Sequence, residues 1–208
     1  MLESKIIIVG YSGHGFVVAD AAIESALSLC YYAEQKSANI NPYNLEYFGY
    51  ENDRDFKGWN GAYQFILGIG DNIIRHKVAK TILENHKTIL NVIHPTASIS
   101  KNVKIGIGNF ISKNTSVNPL VTIGDFCILN TACVVEHECI IANAVHIAPG
   151  VVLAGNVSVG ENTFIGANSV VKQGIKIGKN VIIGAGTVVM KDIEDNSTYV
   201  GNPARKIK

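Results

Sequence analysis

Residues 129–159 read LNTACVVEHECIIANAVHIAPGVVLAGNVSV, and every sixth residue of this stretch is aliphatic. A period of six fits neither a helix nor a simple strand, whose side-chain periods are about 3.6 and 2 residues. It predicts a coil of short straight sides, each sending one residue inward at a fixed place, as in a parallel β-helix. The predicted inward column extends in both directions and contains Ile99, Ile105, Ile111, Val117, Ile123, Leu129, Val135, Ile141, Ile147, Leu153, Val159, Ile165, Val171, Ile177, Ile183 and Val189.

A second inward column lies two residues before most of these positions and consists of small or branched side chains. It includes Cys127, Cys133 and Cys139. The cysteines could bind a metal or form a disulfide, but no C-x-x-C pair or zinc-like spacing is present. We therefore expect them to be small core side chains, and free thiols fit a reducing cytoplasm.

Residues 1–94 have a different rhythm, in which strand-like and helical segments alternate. We predict strands at 5–9, 30–33, 64–69 and 89–93, helices at 16–29 and 72–86, and a loop at 40–59. This alternation predicts a small Rossmann-like α/β domain over 1–94, with a parallel sheet covered by helices and a ligand at the carboxyl ends of its strands. The repeats then occupy 95–191, and 192–208 is predicted to be a C-terminal tail.

Charge and hydropathy argue against several classes of partner. The formal net charge of the 208 residues is +1, and the chain has no basic block, so we expect no nucleic-acid partner. We find no apolar run long enough to span a bilayer and no signal-peptide layout at the N-terminus. The sequence therefore predicts a cytoplasmic protein with no membrane span.

A glycine-rich turn follows the first predicted strand. Residues 10–15 spell GYSGHG, which is not the dinucleotide-binding G-x-G-x-x-G pattern. Backbone N–H groups at a strand end and helix start could meet an anion. An ordinary tight turn between a strand and a helix would use glycine as well, and both interpretations stay open.

Two histidines lie within the repeats. His137 comes two residues after Val135, so it points outward at a corner, between Glu136 and Glu138. A neighbouring carboxylate can stabilise the imidazolium and hold the useful tautomer, so His137 could be a general base; a solvated charged loop is the alternative. His146 is also predicted to point outward, and by itself is more typical of a surface residue than of a site.

These features together resemble a known family. The repeats, the Glu136-His137-Glu138 triplet, His146, the Ala154-Gly155-Asn156 turn, the turn at 11–15 and the tail motif at 200–204 are similar to the left-handed β-helix sugar acyltransferases. The resemblance is closest to bacterial nucleotide-sugar N-acetyltransferases and the related sialic acid O-acetyltransferases. It implies a left-handed coil, against the usual right-handed crossover. It also implies acetyl-CoA as co-substrate, no metal, and a homotrimer with active sites between neighbouring coils.

The resemblance also implies roles for particular residues. The implied catalytic residues are the base His137, its acidic neighbour Glu138 and the nearby polar residue Asn130. The implied acetyl-CoA contacts are His146, Gly155, Ala167 and Ala185. The implied nucleotide-sugar contacts are Ser12, Gly13, His14 and Gly70, together with Glu34 and Gln35, which stand where close relatives have two aspartates.

The implied reaction is acetylation of the amino group of a nucleotide-linked amino-deoxy sugar, such as a 4-amino-4,6-dideoxyhexose, for surface glycan or glycoprotein biosynthesis. O-acetylation of sialic acid or another sugar and a non-catalytic β-helix binding protein are the alternatives. A metal-dependent β-helix hydratase would need three imidazoles on its metal, and the repeats contain only two histidines.

Overall fold

The structure is a computed structural model that describes residues 5–208. Its N-terminal part is a five-stranded parallel sheet in the order β3-β2-β1-β4-β5 with a helix after β1 and another after β4. The elements are β1 (Ile6–Val9), α1 (Gly13–Glu24), β2 (Leu29–Ala33), β3 (Glu46–Tyr47), a 3₁₀ turn (Lys57–Trp59), β4 (Gln64–Leu67), α2 (Asn72–Glu84) and β5 (Thr88–Ile89).

The first helix was predicted in the wrong place. It begins at Gly13 rather than at residue 16, and it ends at Glu24 because Ala26 adopts a left-handed φ of 57°. The chain then pairs Leu29 with Ile6, so the last residue of the predicted helix belongs to β2. The second helix follows the prediction at its start, where the Asp71 carboxylate accepts a hydrogen bond of 2.8 Å from the Ile74 N–H.

Residues 92–200 form a three-sided solenoid. Side 1 contains the parallel strands β6 (Val92–Ile93), β9 (Phe110–Ile111), β12 (Ile128–Leu129), β15 (His146–Ile147), β18 (Phe164–Ile165), β21 (Ile182–Ile183) and β23 (Thr198–Val200). Side 2 contains β7 (Ser98–Ile99), β10 (Ser116–Val117), β13 (Val134–Val135), β16 (Val152–Leu153), β19 (Val170–Val171) and β22 (Val188–Val189). Side 3 contains β8 (Lys104–Ile105), β11 (Thr122–Ile123), β14 (Ile140–Ile141), β17 (Ser158–Val159) and β20 (Lys176–Ile177).

The six-residue period places the core as predicted. From Ile111 to Val189 every member of the inward column is buried, and Cys127, Cys133 and Cys139 are buried between them. The segment predicted as a tail contributes further structure. Ile193 bridges to Ile177, β23 extends side 1, and β24 (Arg205–Lys206) pairs antiparallel with β23. These residues cover the end of the apolar core, which would otherwise face water.

The predicted strand at 89–93 is two strands, because β5 pairs with the N-terminal sheet whereas β6 begins side 1 of the solenoid. The N-terminal unit folds back onto side 1. Phe110 and Ile128, which point out of the coil, share an apolar cluster with Ile8 and Val18. No helix among residues 5–208 combines the length and apolar character needed to cross a bilayer.

The candidate active site

The corner between sides 2 and 3 carries the predicted base. His137 follows β13, and its Nδ1 lies 3.0 Å from Oε2 of Glu138. The two side chains are 50% and 57% exposed. Glu138 turns the corner with a φ of 63°, which leaves its carboxylate beside the preceding imidazole. With Nδ1–H donated to this carboxylate, Nε2 is the nitrogen that can accept a proton.

Gly155 occupies the same corner one coil further along. A Cβ at Gly155 would lie 2.5 Å from Cε1 and 2.6 Å from Nε2 of His137, so a larger residue would displace the ring. Within residues 5–208, the Gly155 N–H has no acceptor. A free backbone N–H next to an exposed imidazole is suited to a developing oxyanion.

A second imidazole group lies between the N-terminal unit and side 1. His14, in the first turn of α1, and His146, in β15, have ring centroids 6.0 Å apart. His146 points out of the coil, but it is only 8% exposed because the N-terminal unit covers it. The expectation that it resembles a surface residue was therefore wrong.

The surroundings keep both of these imidazoles uncharged. Burial, followed by the charge of Arg75, lowers the pKa of His14 to about 4 and that of His146 to about 3. Asn130 lies 3.2 Å from His146, with its Nδ2 towards Nε2, while its own Oδ1 accepts from the Thr131 N–H. This orientation leaves Nδ1–H as the His146 donor. The Gly70 backbone partly opposes the fall in the His146 pKa, but neither Nδ1 of His146 nor Nε2 of His14 forms a well-aligned hydrogen bond within the described residues.

Arg75 of α2 fixes the two units to each other. Its side chain is 1% exposed and donates to the coil carbonyls of Phe126 at 2.7 Å and Ala144 at 3.0 Å. It also donates to the carbonyls of Ile69 and Gly70 at 3.2 and 3.0 Å. One guanidinium therefore holds the loop after β4 against the coil beside His146.

A cavity of about 450 Å³ opens at the carboxyl ends of β1, β2 and β4, where the strand order predicts a ligand. Five of the six predicted nucleotide-sugar contacts line the cavity: Ser12, His14, Glu34, Gln35 and Gly70. Gly13 begins α1 but does not line it. Further lining residues that the sequence analysis did not select are Tyr50, Glu51, Asn52, Lys77 and Thr81.

The predicted acetyl-CoA residues do not converge within one chain. Gly155 lies with His137 at the corner of sides 2 and 3, and His146 lies on side 1. Ala167 and Ala185 follow β18 and β21, at the corner of sides 1 and 2. The single chain thus has two separate features. The N-terminal cavity lies beside the buried pair His14 and His146, whereas the exposed His137–Glu138 pair lies at the corner of the coil that faces away from side 1.

Comparison with known proteins places this architecture. Residues 5–82 match the PglD N-terminal domain, and residues 156–191 match the hexapeptide repeat of succinyl-transferase. PerB from Caulobacter crescentus, in complex with CoA and GDP-perosamine, is 30% identical, with a TM-score of 0.91 over 99% of this chain and 98% of PerB. The protein belongs to the PglD-like sugar N-acetyltransferase family of left-handed β-helix proteins. The acetyltransferase domain of PglB from Neisseria gonorrhoeae, in complex with acetyl-CoA, is 28% identical, with a TM-score of 0.92 over 99% of this chain and 100% of that domain.

Two parts of this PglD-like site were missed by the sequence analysis. Arg75 stands in an amphipathic helical pattern, and its acceptors are backbone carbonyls that no side-chain pattern reveals. Glu51 and Asn52 fall in the predicted loop at 40–59, yet β3 pairs with β2 and brings the following residues to the sheet edge. A β-prone Tyr47-Phe48 pair next to Gly49 was the available signal.

Proposed function

We propose that this protein transfers the acetyl group of acetyl-CoA to the amino group of a nucleotide-linked amino-deoxy sugar. The observation that carries the proposal is the exposed His137–Glu138 pair above Gly155, in a PglD-like chain with a nucleotide-sized cavity. The two relatives support it, because PerB is seen with CoA and GDP-perosamine and the PglB domain with acetyl-CoA. Surface glycan or glycoprotein biosynthesis is the corresponding role.

The N-terminal cavity holds the nucleotide-sugar. The turn after β1 leads directly into α1, whose N-terminus attracts the diphosphate. His14 and Gly70 lie between this turn and side 1, so they contact the sugar. The neutral imidazoles of His14 and His146 orient the acceptor through hydrogen bonds, since each has one buried ring nitrogen without a well-aligned partner.

His137 acts as the general base. Its Nε2 accepts a proton from the amine as the amine nitrogen bonds to the thioester carbonyl carbon, and Glu138 stabilises the imidazolium. The Gly155 N–H donates to the oxyanion. The carbon–sulfur bond then breaks, and the imidazolium returns its proton to the leaving thiolate. The products are the N-acetyl sugar and free CoA, and no covalent enzyme intermediate is required.

We further propose that the protein is a homotrimer. The N-terminal unit covers side 1, whereas His137 lies at the opposite corner, so a second copy must bring His137 to the cavity. The outward face of side 2 supports such contact, because it presents the paired residues Val134, Val152, Val170 and Val188. Val170 is 41% exposed in the single chain, and a ladder of β-branched side chains is suited to packing against another copy.

A thiol-release assay tests the proposed reaction. We expect CoA release to require a nucleotide-linked amino sugar, and mass spectrometry to show one added acetyl group on nitrogen. His137→Ala should abolish most turnover. His86→Asn is the matched control, because His86 is exposed after α2 and asparagine tolerates its φ of 58°. Thiol release with free sialic acid but not with nucleotide-linked amino sugars would contradict N-acetylation and favour the O-acetylation alternative.

A further inference from the structure

The order of the strands sets the direction in which a nucleotide lies in the cavity. The diphosphate belongs at the turn between β1 and α1. In a doubly wound sheet the acidic residue after β2 meets the ribose, and here that residue is Glu34. Because β3 is the next strand outward, the nucleobase lies against the residues that follow β3, namely Tyr50, Glu51 and Asn52.

Glu34 is already fixed by the backbone of the cavity. Its Oε2 accepts from the Tyr11 N–H at 3.2 Å, and its Oε1 accepts from the Gln35 N–H at 3.0 Å. Each carboxylate oxygen has a second lone pair, so Glu34 can still accept from a ribose hydroxyl. These bonds fix the Glu34 carboxylate where it can contact the ribose. The nucleobase then lies against the residues that follow β3.

Glu51 is a buried carboxylate in the wall of this cavity. It is 5% exposed, and its Oε1 accepts from Nδ2 of Asn52 at 3.0 Å. Burial, with the charges of Glu34 and Asp53, raises its pKa. Among residues 5–208, Glu51 forms no ion pair. A buried carboxylate without a cation is costly unless hydrogen-bond donors surround it, so a ligand that brings donors is favoured.

The nucleobases differ in the donors that they offer. Guanine presents N1–H and N2–H side by side, which matches the two oxygens of one carboxylate. Uracil and thymine present one N–H between two carbonyl oxygens, and these oxygens repel a carboxylate. Adenine presents an unprotonated N1. The ring of Tyr50, in the same wall, offers a face on which a base can stack.

From these contacts we propose that Glu51 reads a guanine base, so that the acceptor is a GDP-linked amino sugar. This inference rests on the proposed function, because it assigns the cavity to a nucleotide-sugar. It adds a specificity-determining residue that lies outside the turn at 10–15 and outside the solenoid.

Isothermal titration of the full chain with nucleoside diphosphates tests the assignment. GDP should bind at least about tenfold more tightly than UDP, dTDP or ADP, as expected for one good two-donor pair. IDP, which lacks the N2 amine, should fall between GDP and the others. Glu51→Gln should weaken GDP binding by about 10- to 100-fold, because one amide donor then faces the donors of guanine. UDP binding should not weaken and should tighten, because the repulsion between the carboxylate and the uracil oxygens is removed and the glutamine amide can both donate to a uracil oxygen and accept from N3–H.

Glu46→Gln is the matched control, because Glu46 is exposed on β3 and this substitution removes the same charge outside the cavity. It should leave the affinity for GDP unchanged. UDP or dTDP binding as tightly as GDP, or unchanged GDP affinity in Glu51→Gln, would overturn the guanine assignment. If Glu51→Gln does not fold, the ranking of GDP, IDP and UDP with the unaltered protein decides. Tight UDP binding with active acetyl transfer would leave the proposed function intact, whereas no nucleotide binding and no thiol release would overturn both.

Discussion

The corner at His137 and the junction at His14 and His146 present imidazoles in opposite surroundings. His137 is half exposed beside a carboxylate, so it can gain a proton that the carboxylate stabilises. Burial, followed by the charge of Arg75, lowers the pKa values of the junction histidines and keeps them neutral. This difference supports our proposal that the corner carries out proton transfer and that the junction orients the acceptor.

The largest expected effect separates these two roles. His137→Ala should lower kcat by about a hundredfold or more, the usual size of a lost general base. The affinity for acetyl-CoA should hardly change. His146→Gln should instead raise mainly the KM for the nucleotide-sugar acceptor, since it removes a binding contact. Steady-state kinetics with each substrate varied in turn measure both effects, and the opposite pattern would exchange the two roles.

The second effect concerns the contact that fixes the junction. Arg75→Ala removes the donors to four backbone carbonyls, two of them in buried hydrogen bonds, so it should lower the free energy of unfolding by about 2 kcal/mol or more. Urea denaturation measures this loss. Lys113→Ala is a suitable control, because it removes the half-exposed pair with Asp20 between the same two units. An equal loss in both variants would mean that Arg75 is not the main link.

The repeats could be predicted from the sequence because the same signal recurs at every sixth position, so one atypical residue does not change the predicted period. The junction could not be predicted in the same way. The burial of His146 depends on packing against His14, far away in the sequence, and the partners of Arg75 are backbone carbonyls. The position of Glu51 depends on the pairing of the two-residue strand β3, which is too short to give a periodic signal.

The third effect concerns the pH dependence of stability that the neutral junction histidines produce. Since the folded-state pKa values of His14 and His146 lie below the unfolded value of about 6.5, the unfolded chain binds more protons as the pH falls. The contribution of these two histidines to stability should therefore be fully present above about pH 6.5 and should fall by about 3 kcal/mol towards pH 5. His146→Gln should reduce this acid sensitivity, measured by urea denaturation at both pH values, whereas His86→Asn should not. If the free energy of unfolding of His146→Gln falls with pH as steeply as that of the unaltered protein, the burial of a neutral imidazole is contradicted.

Complementation between two inactive variants tests most directly whether the corner of one copy serves the cavity of another. One variant is His137→Ala. The other is Ser12→Asp, which keeps a good N-cap for α1 but repels a diphosphate at the turn. Each should be nearly inactive alone. Co-expressed with different tags and purified as mixed oligomers, they should recover about a third of the unaltered activity, because in a mixed cyclic trimer one of the three interfaces pairs an intact His137 with an intact cavity. Mixed oligomers that stay as inactive as the separate variants would contradict a site shared between copies.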